Sequence, residues 1–172
     1  IEKMGGTITF ESTEGRGTIF VIRVPFRIDT DRESKAETEA KTEASIRGLH
    51  ILLAEDNELN MEIAEFMLQN EGAVVTKTWN GQEAVEIFEK SRPDEFDVIL
   101  MDIMMPVMNG YEAAKMIRSM DREDAKTIPI IAMTANAFTE DRIKAKEAGM
   151  DEHISKPIDM KLLVKIIHEL VY

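Results

Sequence analysis

From residue 48 to the end of the chain, apolar residues follow two alternating spacings. Short unbroken apolar runs end near Ala54, Met101 and Met133, and such runs predict strands that are buried on both faces. Between these runs, apolar residues recur every three to four positions, as they do in amphipathic helices. Strands that alternate with helices in this way predict a parallel sheet with right-handed connections.

Five strands and five helices are expected between residues 48 and 172. The strands are predicted at residues 49–54, 73–78, 97–101, 129–133 and 153–155. The expected fold is therefore α/β and flavodoxin-like, a doubly wound (βα)5 parallel sheet with strand order 2-1-3-4-5. The helices are indicated by five sets of residues: Leu59, Ile63, Phe66 and Met67; Ala84, Val85 and Phe88; Ala113, Ile117 and Met120; residues 138–148; and Ile158, Leu162, Leu163, Ile166, Ile167 and Leu170.

Residues 1–47 have a different character. Residues 1–26 predict a β-hairpin, because residues 7–12 alternate polar with apolar positions, Gly15-Arg16-Gly17 supplies a turn, and residues 18–24 are a second β-branched run. A lone hairpin is marginally stable in water, so we expect it to be the last part of a larger domain. Residues 27–47 are charged or small and lack an apolar stripe, which predicts a flexible linker. Residues 48–172 form the second domain.

The composition excludes several classes of function. The formal net charge of -12 disfavours contact with the phosphate backbone of nucleic acids. The chain has no cysteine, so disulfides and thiolate metal sites are excluded and a reducing cytosol is favoured. No apolar run approaches the roughly 20 residues that span a bilayer. We therefore expect a cytoplasmic fragment without direct nucleic-acid or membrane contact, from a parent chain that can be anchored to a membrane upstream.

Chemically capable side chains follow four of the predicted strands. Glu55 and Asp56 follow the first strand, Asp102 the third, Thr134 the fourth and Lys156 the fifth. The carboxyl ends of parallel strands meet at one edge of the sheet, where open α/β sheets bind their ligands. In the order 2-1-3-4-5 the first and third strands are neighbours, so Asp56 and Asp102 are expected to face each other across one crevice.

Three carboxylates that lie close together repel each other and favour a hard divalent cation. Mg²⁺ is the expected cofactor, with Mn²⁺ as a substitute, because Mg²⁺ takes oxygen ligands and keeps several waters. Lys156 can pair with a phosphoryl group, and the Thr134 hydroxyl can donate to a phosphoryl oxygen. Together these residues predict phosphoryl transfer onto a carboxylate. Considered alone, Asp102 is equally well explained as a residue that ends a strand and caps a turn.

Four segments at these positions also carry a resemblance. They are Glu55-Asp56-Asn57, Asp102-Ile103-Met104-Met105-Pro106-Val107-Met108-Asn109-Gly110, Thr134-Ala135-Asn136-Ala137 and Lys156-Pro157. In order and spacing they resemble the response-regulator receiver domains, over residues 48–172. The resemblance implies that Asp102 accepts a phosphoryl group from a phosphohistidine. It also implies that Asp56, Asp102 and the backbone carbonyl of Met104 bind Mg²⁺, while Glu55 assists through a water molecule.

The resemblance further implies how the phosphoryl group is bound and sensed. Thr134 and Lys156 would bind the phosphoryl oxygens, and the peptide bond before Pro157 would be cis. His153 stands where the family usually has Tyr or Phe, whose ring turns inward when Thr134 is drawn towards the phosphoryl group. Thr134 and His153 are therefore the expected switch residues. The alternative is that His153 is a surface residue without a switch role.

The N-terminal hairpin carries a second resemblance. Its segments Met4-Gly5-Gly6-Thr7-Ile8, Ser12, Gly15-Arg16-Gly17-Thr18-Ile19-Phe20 and Val24-Pro25 resemble the closing strands of the α+β ATP-binding domain of histidine kinases. The asparagine and glycine-rich boxes that hold ATP in that family lie upstream of this segment and are absent here. An unrelated hairpin with a Gly-x-Gly turn is the alternative.

Hairpin, linker and receiver in this order imply a hybrid sensor histidine kinase of a two-component phosphorelay. Asp102 would take phosphate from the histidine-containing dimerisation domain of the parent kinase. It would then pass the phosphate to a histidine-phosphotransfer protein or domain, or convert it to a conformational signal. The parent would be a phosphotransferase. This fragment lacks the ATP-binding and phosphohistidine motifs and only accepts and loses phosphate, so its own status as an enzyme stays open.

Other functions fit parts of the pattern. A Mg²⁺-dependent phosphohydrolase on a related fold often has a second aspartate two residues after its nucleophile, where this chain has Met104. A receiver fold used only for docking would not need the complete set of polar residues at the strand ends.

The segment His168-Glu169-Leu170 mimics a kinase phosphoacceptor box without its continuation. Met104, Met105 and Met108 are expected to pack the loop rather than bind a soft metal.

Overall fold

The computed structural model describes residues 5–13, 15, 17–25, 44–135 and 139–172, and only the backbone of residues 139–141. The predicted linker up to residue 43 and the motif residues Asn136 and Ala137 lie outside these ranges. Contacts between Cα atoms divide the chain into two compact units, Ile1–Thr42 and Glu43–Tyr172. Among the described residues, no helix combines the length and the apolar content that a membrane span requires.

The first unit contains the predicted hairpin. Strands β1 (Thr7–Thr13) and β2 (Gly17–Arg23) pair antiparallel. Phe10 lies opposite Phe20, with ring centroids 5.9 Å apart, and the next pair on the same face is Ile8 with Ile22. Phe10 is 68% exposed and Phe20 is 62% exposed. One face of the hairpin is therefore lined by exposed apolar side chains.

The second unit is built on five parallel strands, in the spatial order β4-β3-β5-β6-β7. These strands are β3 (His50–Ala54), β4 (Val74–Thr78), β5 (Val98–Asp102), β6 (Ile130–Thr134) and β7 (Glu152–Ser155). Numbered within this sheet, the order is 2-1-3-4-5, which confirms the flavodoxin-like fold. Strand β5 is central and all its residues are buried, as its unbroken apolar run predicts.

Helices cover both faces of the sheet. On one face, helices α1 and α6 pack against sheet residues such as Leu53 and Leu100. On the other face, helices α2, α3, α4 and α5 pack against sheet residues such as Leu52 and Met101. In the described part of the chain the helices are α1 (Glu58–Asn70), α2 (Gly81–Lys90), α3 (Gly110–Arg118), α4 (Glu123–Thr127), α5 (Thr139–Glu147) and α6 (Met160–Val171). Helix α4 is the one that was not predicted, because it is short and buries only Ala125.

Helix α1 lies where it was predicted, but three of the four residues that indicated it point outward, while Met67 is half-buried. Leu59, Ile63 and Phe66 are 64%, 49% and 66% exposed. Both the outer and the inner set recur at helical spacing, so periodicity alone does not distinguish the two faces. The face towards the sheet is formed by three other residues: Met61, Ala64 and Leu68.

The packed interior of the second unit begins before residue 48. Ile46, inside the stretch predicted as a linker, is completely buried. It belongs to the cluster beneath α1 and α6. The backbone N–H of Gly48 donates to the carbonyl of Gly72 at 2.8 Å, which joins this segment to the turn after α1. Residues 44–47 are therefore part of the folded unit.

Replacing Leu68 with alanine is expected to lower the free energy of unfolding by about 3 kcal/mol, because a fully buried side chain is removed. The matched change Phe66→Ala, on the outer face of the same helix, is expected to cost less than about 1 kcal/mol. Urea unfolding followed by circular dichroism measures both. Equal losses in the two variants would contradict the outward orientation of Phe66.

Candidate functional site

Three carboxylates meet at the carboxyl ends of β3 and β5. One oxygen from each of Glu55, Asp56 and Asp102 lies within 4.8 Å of the other two. Strands β3 and β5 pair directly, with Ala54 opposite Met101, so the residues that follow them are neighbours. Glu55 and Asp102 are buried, whereas Asp56 is exposed. Two of the three negative charges are thus removed from bulk water.

Lys156 reaches the two buried carboxylates from the end of β7. Its Nζ atom lies 2.5 Å from Glu55 Oε2 and 2.6 Å from Asp102 Oδ2. Its backbone N–H donates to the carbonyl of Thr134 at 2.8 Å, so buried Thr134 lies at the same edge. The peptide bond between Lys156 and Pro157 is cis, as the resemblance implied. The structure therefore brings together the carboxylates and the lysine that the sequence analysis singled out.

Opposing influences act on the pKa of the Asp102 carboxyl. Burial raises the pKa of the Asp102 carboxyl, and the nearby Glu55 carboxylate raises it further. The hydrogen bond and the positive charge of Lys156, together with the N–H of Met104, oppose this rise. Burial also lowers the pKa of Lys156, but its hydrogen bonds to Asp102 and Glu55 outweigh burial and leave the pKa raised. The lysine is therefore held as a cation beside a carboxylate that burial disfavours.

Asn60 is a residue of the site that the sequence analysis missed. Its Nδ2 donates to Glu55 Oε1 at 3.0 Å, which orients the carboxylate that Lys156 contacts. Asn60 lies in the first turn of α1, and its backbone N–H donates to the capping side chain of Asn57. The sequence did contain a signal for this contact, namely Asn57. An asparagine two residues after Glu55 that caps a helix brings the first turn of that helix, with Asn60, close to the carboxyl edge of the sheet.

The loop after β5 is held tightly to Asp102. The N–H of Met104 donates to Asp102 Oδ1 at 3.2 Å. The N–H of Gly110 donates to the carbonyl of Ile103 at 3.0 Å, and a Cβ atom at Gly110 would collide with the carbonyl oxygen of Asp102. Only glycine permits this close approach. The Met104 side chain is 77% exposed, so it does not fill the site.

His153 lies on β7, the strand that leads to Lys156. It is opposite Ala132 in the sheet, and its Nδ1 atom is 3.0 Å from Glu152 Oε1. Its side chain is 22% exposed. The switch role of His153 with Thr134 stays a prediction.

The donor set fits Mg²⁺. All three side chains offer carboxylate oxygens, which are the hard ligands that Mg²⁺ prefers. Exposed Asp56 leaves one side open to solvent, as an ion that keeps several of its waters requires.

Comparison with known proteins gives the family. The model of the response regulator receiver domain matches residues 51–168. The chain therefore belongs to this family, the receiver domains of two-component signalling.

The curated relatives are histidine kinases. Histidine kinase 1 of Arabidopsis thaliana is 37% identical over an alignment of 159 positions that covers 75% of this chain and 13% of the relative. Probable histidine kinase 1 of Oryza sativa subsp. indica is 31% identical over an alignment of 188 positions that covers 92% of this chain and 19% of the relative. The chain thus spans less than a fifth of the length of these relatives.

Solved structures of receiver domains are also similar. One is the receiver domain of a sensor histidine kinase from Pseudomonas aeruginosa PAO1, with a magnesium ion coordinated in its active site cleft. It is 40% identical, has a TM-score of 0.65, and the match covers 72% of this chain and 98% of that chain. Another is the receiver domain of Saccharomyces cerevisiae Ssk1 in complex with the histidine phosphotransfer protein Ypd1. It is 29% identical, has a TM-score of 0.64, and the match covers 73% of this chain and 90% of that chain.

Replacing Lys156 with methionine is expected to lower the free energy of unfolding by about 3 kcal/mol at pH 7, because two buried carboxylates lose their cation. Loss of Lys156 also removes the main opposition to burial, so the pKa of Asp102 rises further. A carboxyl whose pKa is raised on folding costs stability once the pH exceeds its ordinary value of 3.8. The loss should therefore be larger at pH 8 than at pH 5 in urea unfolding.

Lys161→Met is the matched control, because Lys161 is exposed at the start of α6. It should change stability by less than about 0.5 kcal/mol. Millimolar Mg²⁺ should recover part of the loss in the Lys156 variant, since a cation that binds the folded state stabilises it. A loss that is independent of pH and Mg²⁺ would show that Lys156 does not neutralise this cluster.

Proposed function

We propose that Asp102 accepts a phosphoryl group from a phosphohistidine in a Mg²⁺-dependent reaction. The observation that carries this proposal is the contact of Lys156 with buried Asp102 and Glu55, beside exposed Asp56. A lysine that is already paired with a buried carboxylate can pair equally well with phosphoryl oxygens on that carboxylate. Met104 occupies the position where a related phosphohydrolase needs an acid, so the site is suited to hold phosphate rather than to release it rapidly.

Each residue then has a defined task. A carboxylate oxygen of Asp102 forms a bond to phosphorus while the bond from phosphorus to the histidine nitrogen breaks, which gives an acyl phosphate. Lys156 pairs with the phosphoryl oxygens, and the Thr134 hydroxyl donates a hydrogen bond to one of them. Mg²⁺, or Mn²⁺ in its place, would supply neutralisation of the phosphoryl charge. The residues that would hold it are Asp56, Asp102, the backbone carbonyl of Met104 and, through water, Glu55.

The partner is a helical domain that carries the phosphohistidine. Supporting this, Leu59, Ile63 and Phe66 give α1 an apolar outer face, and a cavity of about 180 Å³ lies between α1 and residues 156–158, next to Glu55. An apolar helix face is a common docking surface for another helix. The Ssk1 receiver, a structural neighbour, forms a complex with Ypd1. The donor would be the histidine-containing dimerisation domain of the parent kinase, and the acceptor a histidine-phosphotransfer protein.

The parent protein would be a hybrid sensor histidine kinase. In this proposal residues 1–26 end its ATP-binding domain and residues 27–47 connect it to the receiver at residues 48–172. The last four residues of this connection, 44–47, pack with the receiver. The exposed apolar side chains on one face of the hairpin support a larger domain around it. The match with the rice relative covers 92% of this chain, so the match extends beyond the receiver. Phosphorylation would add close to two negative charges at Asp102 and be sensed through Thr134 and His153.

Asp102→Asn is expected to reduce transfer of radiolabelled phosphate from phosphorylated Ypd1, and from acetyl phosphate, by more than about 100-fold, because the amide cannot act as the nucleophile. Asp121→Asn is the control, since Asp121 is exposed in the turn before α4, and should be labelled like the wild type. Removal of Mg²⁺ with a chelator should abolish labelling of both wild type and control.

Wild-type labelling of the Asp102→Asn variant would show that another residue is the acceptor. Release of phosphate that continues beyond one equivalent per chain, at a steady rate from a phosphate ester, would instead favour the phosphohydrolase.

A further inference from the structure

The loop between β5 and α3 contains a residue in a strained backbone conformation. Val107 has a φ angle of 68°. The N–H of Met108 donates to the carbonyl of Pro106 at 2.8 Å, so Val107 is the central residue of a γ-turn. For a β-branched residue this left-handed conformation is an outlier, whereas glycine or asparagine adopts it at lower cost. The valine therefore makes the turn less favourable than it needs to be.

Nothing in the described part of the chain offsets this cost through the Val107 side chain. The residue is 83% exposed, so it buries little apolar surface. The turn itself is imposed by contacts on both sides. The carbonyl of Met108 accepts from the N–H of Gly81 at 3.1 Å, and Asn109 caps α3 in a capping box with Glu112. The fold therefore imposes the turn but does not require a valine in it, and an exposed valine at a strained position is a reason to look for a use outside the molecule.

The position of the turn indicates what that use is. Val107 and Met104, which is 77% exposed, lie on the loop that leaves Asp102, and Met104 is hydrogen-bonded to the Asp102 carboxylate. These are two large apolar side chains beside a site whose other groups are charged or polar. A protein that brings a histidine to Asp102 has to contact this loop, whereas a small phosphodonor does not.

We propose that Val107 is a docking contact for the protein that carries the phosphohistidine, held towards that protein by the strained turn. The inference rests on the proposed function of Asp102 and adds a second apolar contact to the outer face of α1. The matching surface on the partner is an apolar patch next to its histidine. Because the contact acts in association, Val107 sets the concentration of donor that is required rather than the rate of the chemical step.

The test compares two kinds of variant. Val107→Gly and Val107→Asn relieve the backbone strain and remove the apolar contact. Val107→Ile keeps the strain and the apolar contact. All are made in the 172-residue chain. With phosphorylated Ypd1 as donor, KM should rise about fivefold to tenfold in the glycine and asparagine variants, while kcat stays within twofold. Val107→Ile should keep the wild-type KM. Labelling by acetyl phosphate should stay within twofold of the wild type in all three.

Stability gives an independent readout. The urea midpoint of Val107→Gly and Val107→Asn should equal or exceed that of the wild type, because both residues accept a positive φ angle. A lower midpoint in these variants would show that the valine serves the fold. An unchanged KM for phosphorylated Ypd1 would overturn the docking role. An equal loss of labelling by acetyl phosphate would overturn it as well. Failure of phosphorylated Ypd1 to label a wild-type chain that acetyl phosphate labels would also overturn it. Failure of acetyl phosphate itself would instead refute the role of Asp102.

Discussion

The second unit depends on the ion pairs from Lys156 to Glu55 and Asp102. Three carboxylates gathered at one edge of a sheet repel each other, and two of them are buried. Lys156 is separated from Glu55 by 101 positions in the chain, and the fifth strand of the sheet has to be in place before the two can meet. The same ion pairs therefore form only when the sheet is complete, and they hold the Asp102 carboxylate in a defined position.

The surrounding architecture explains why the charges collect at this edge. Both faces of the sheet are covered by helices, and the central strand β5 is buried along its whole length. Polar side chains that follow such strands reach solvent only at the carboxyl edge. Gly110 lets the start of α3 approach the backbone of Asp102, and Asn60 in α1 orients Glu55. The fold thus supplies a rigid frame around groups that are individually unfavourable.

The surface close to this edge is unusual for an acidic protein, because it combines charge with exposed apolar side chains. Leu59, Ile63 and Phe66 lie on α1, and Met104 and Val107 lie on the loop after β5. Such side chains are costly to expose unless another molecule covers them for part of the time. Their location beside the carboxylates suits the docking of a partner protein, as the proposed function requires.

Much of this structure was predictable from the sequence. Unbroken apolar runs and helical spacing determine the alternation of strands and helices, and strand order then brings Glu55, Asp56, Asp102, Thr134 and Lys156 to one edge. Short α4, the burial of Ile46 and the role of Asn60 were not predictable, because each rests on contacts rather than on a repeating pattern. Periodicity establishes that α1 is amphipathic, but only packing against the sheet decided that Leu68 faces inward and Phe66 outward. Likewise, the positive φ angle of Val107 follows from the anchoring of its loop on both sides, which no local residue preference specifies.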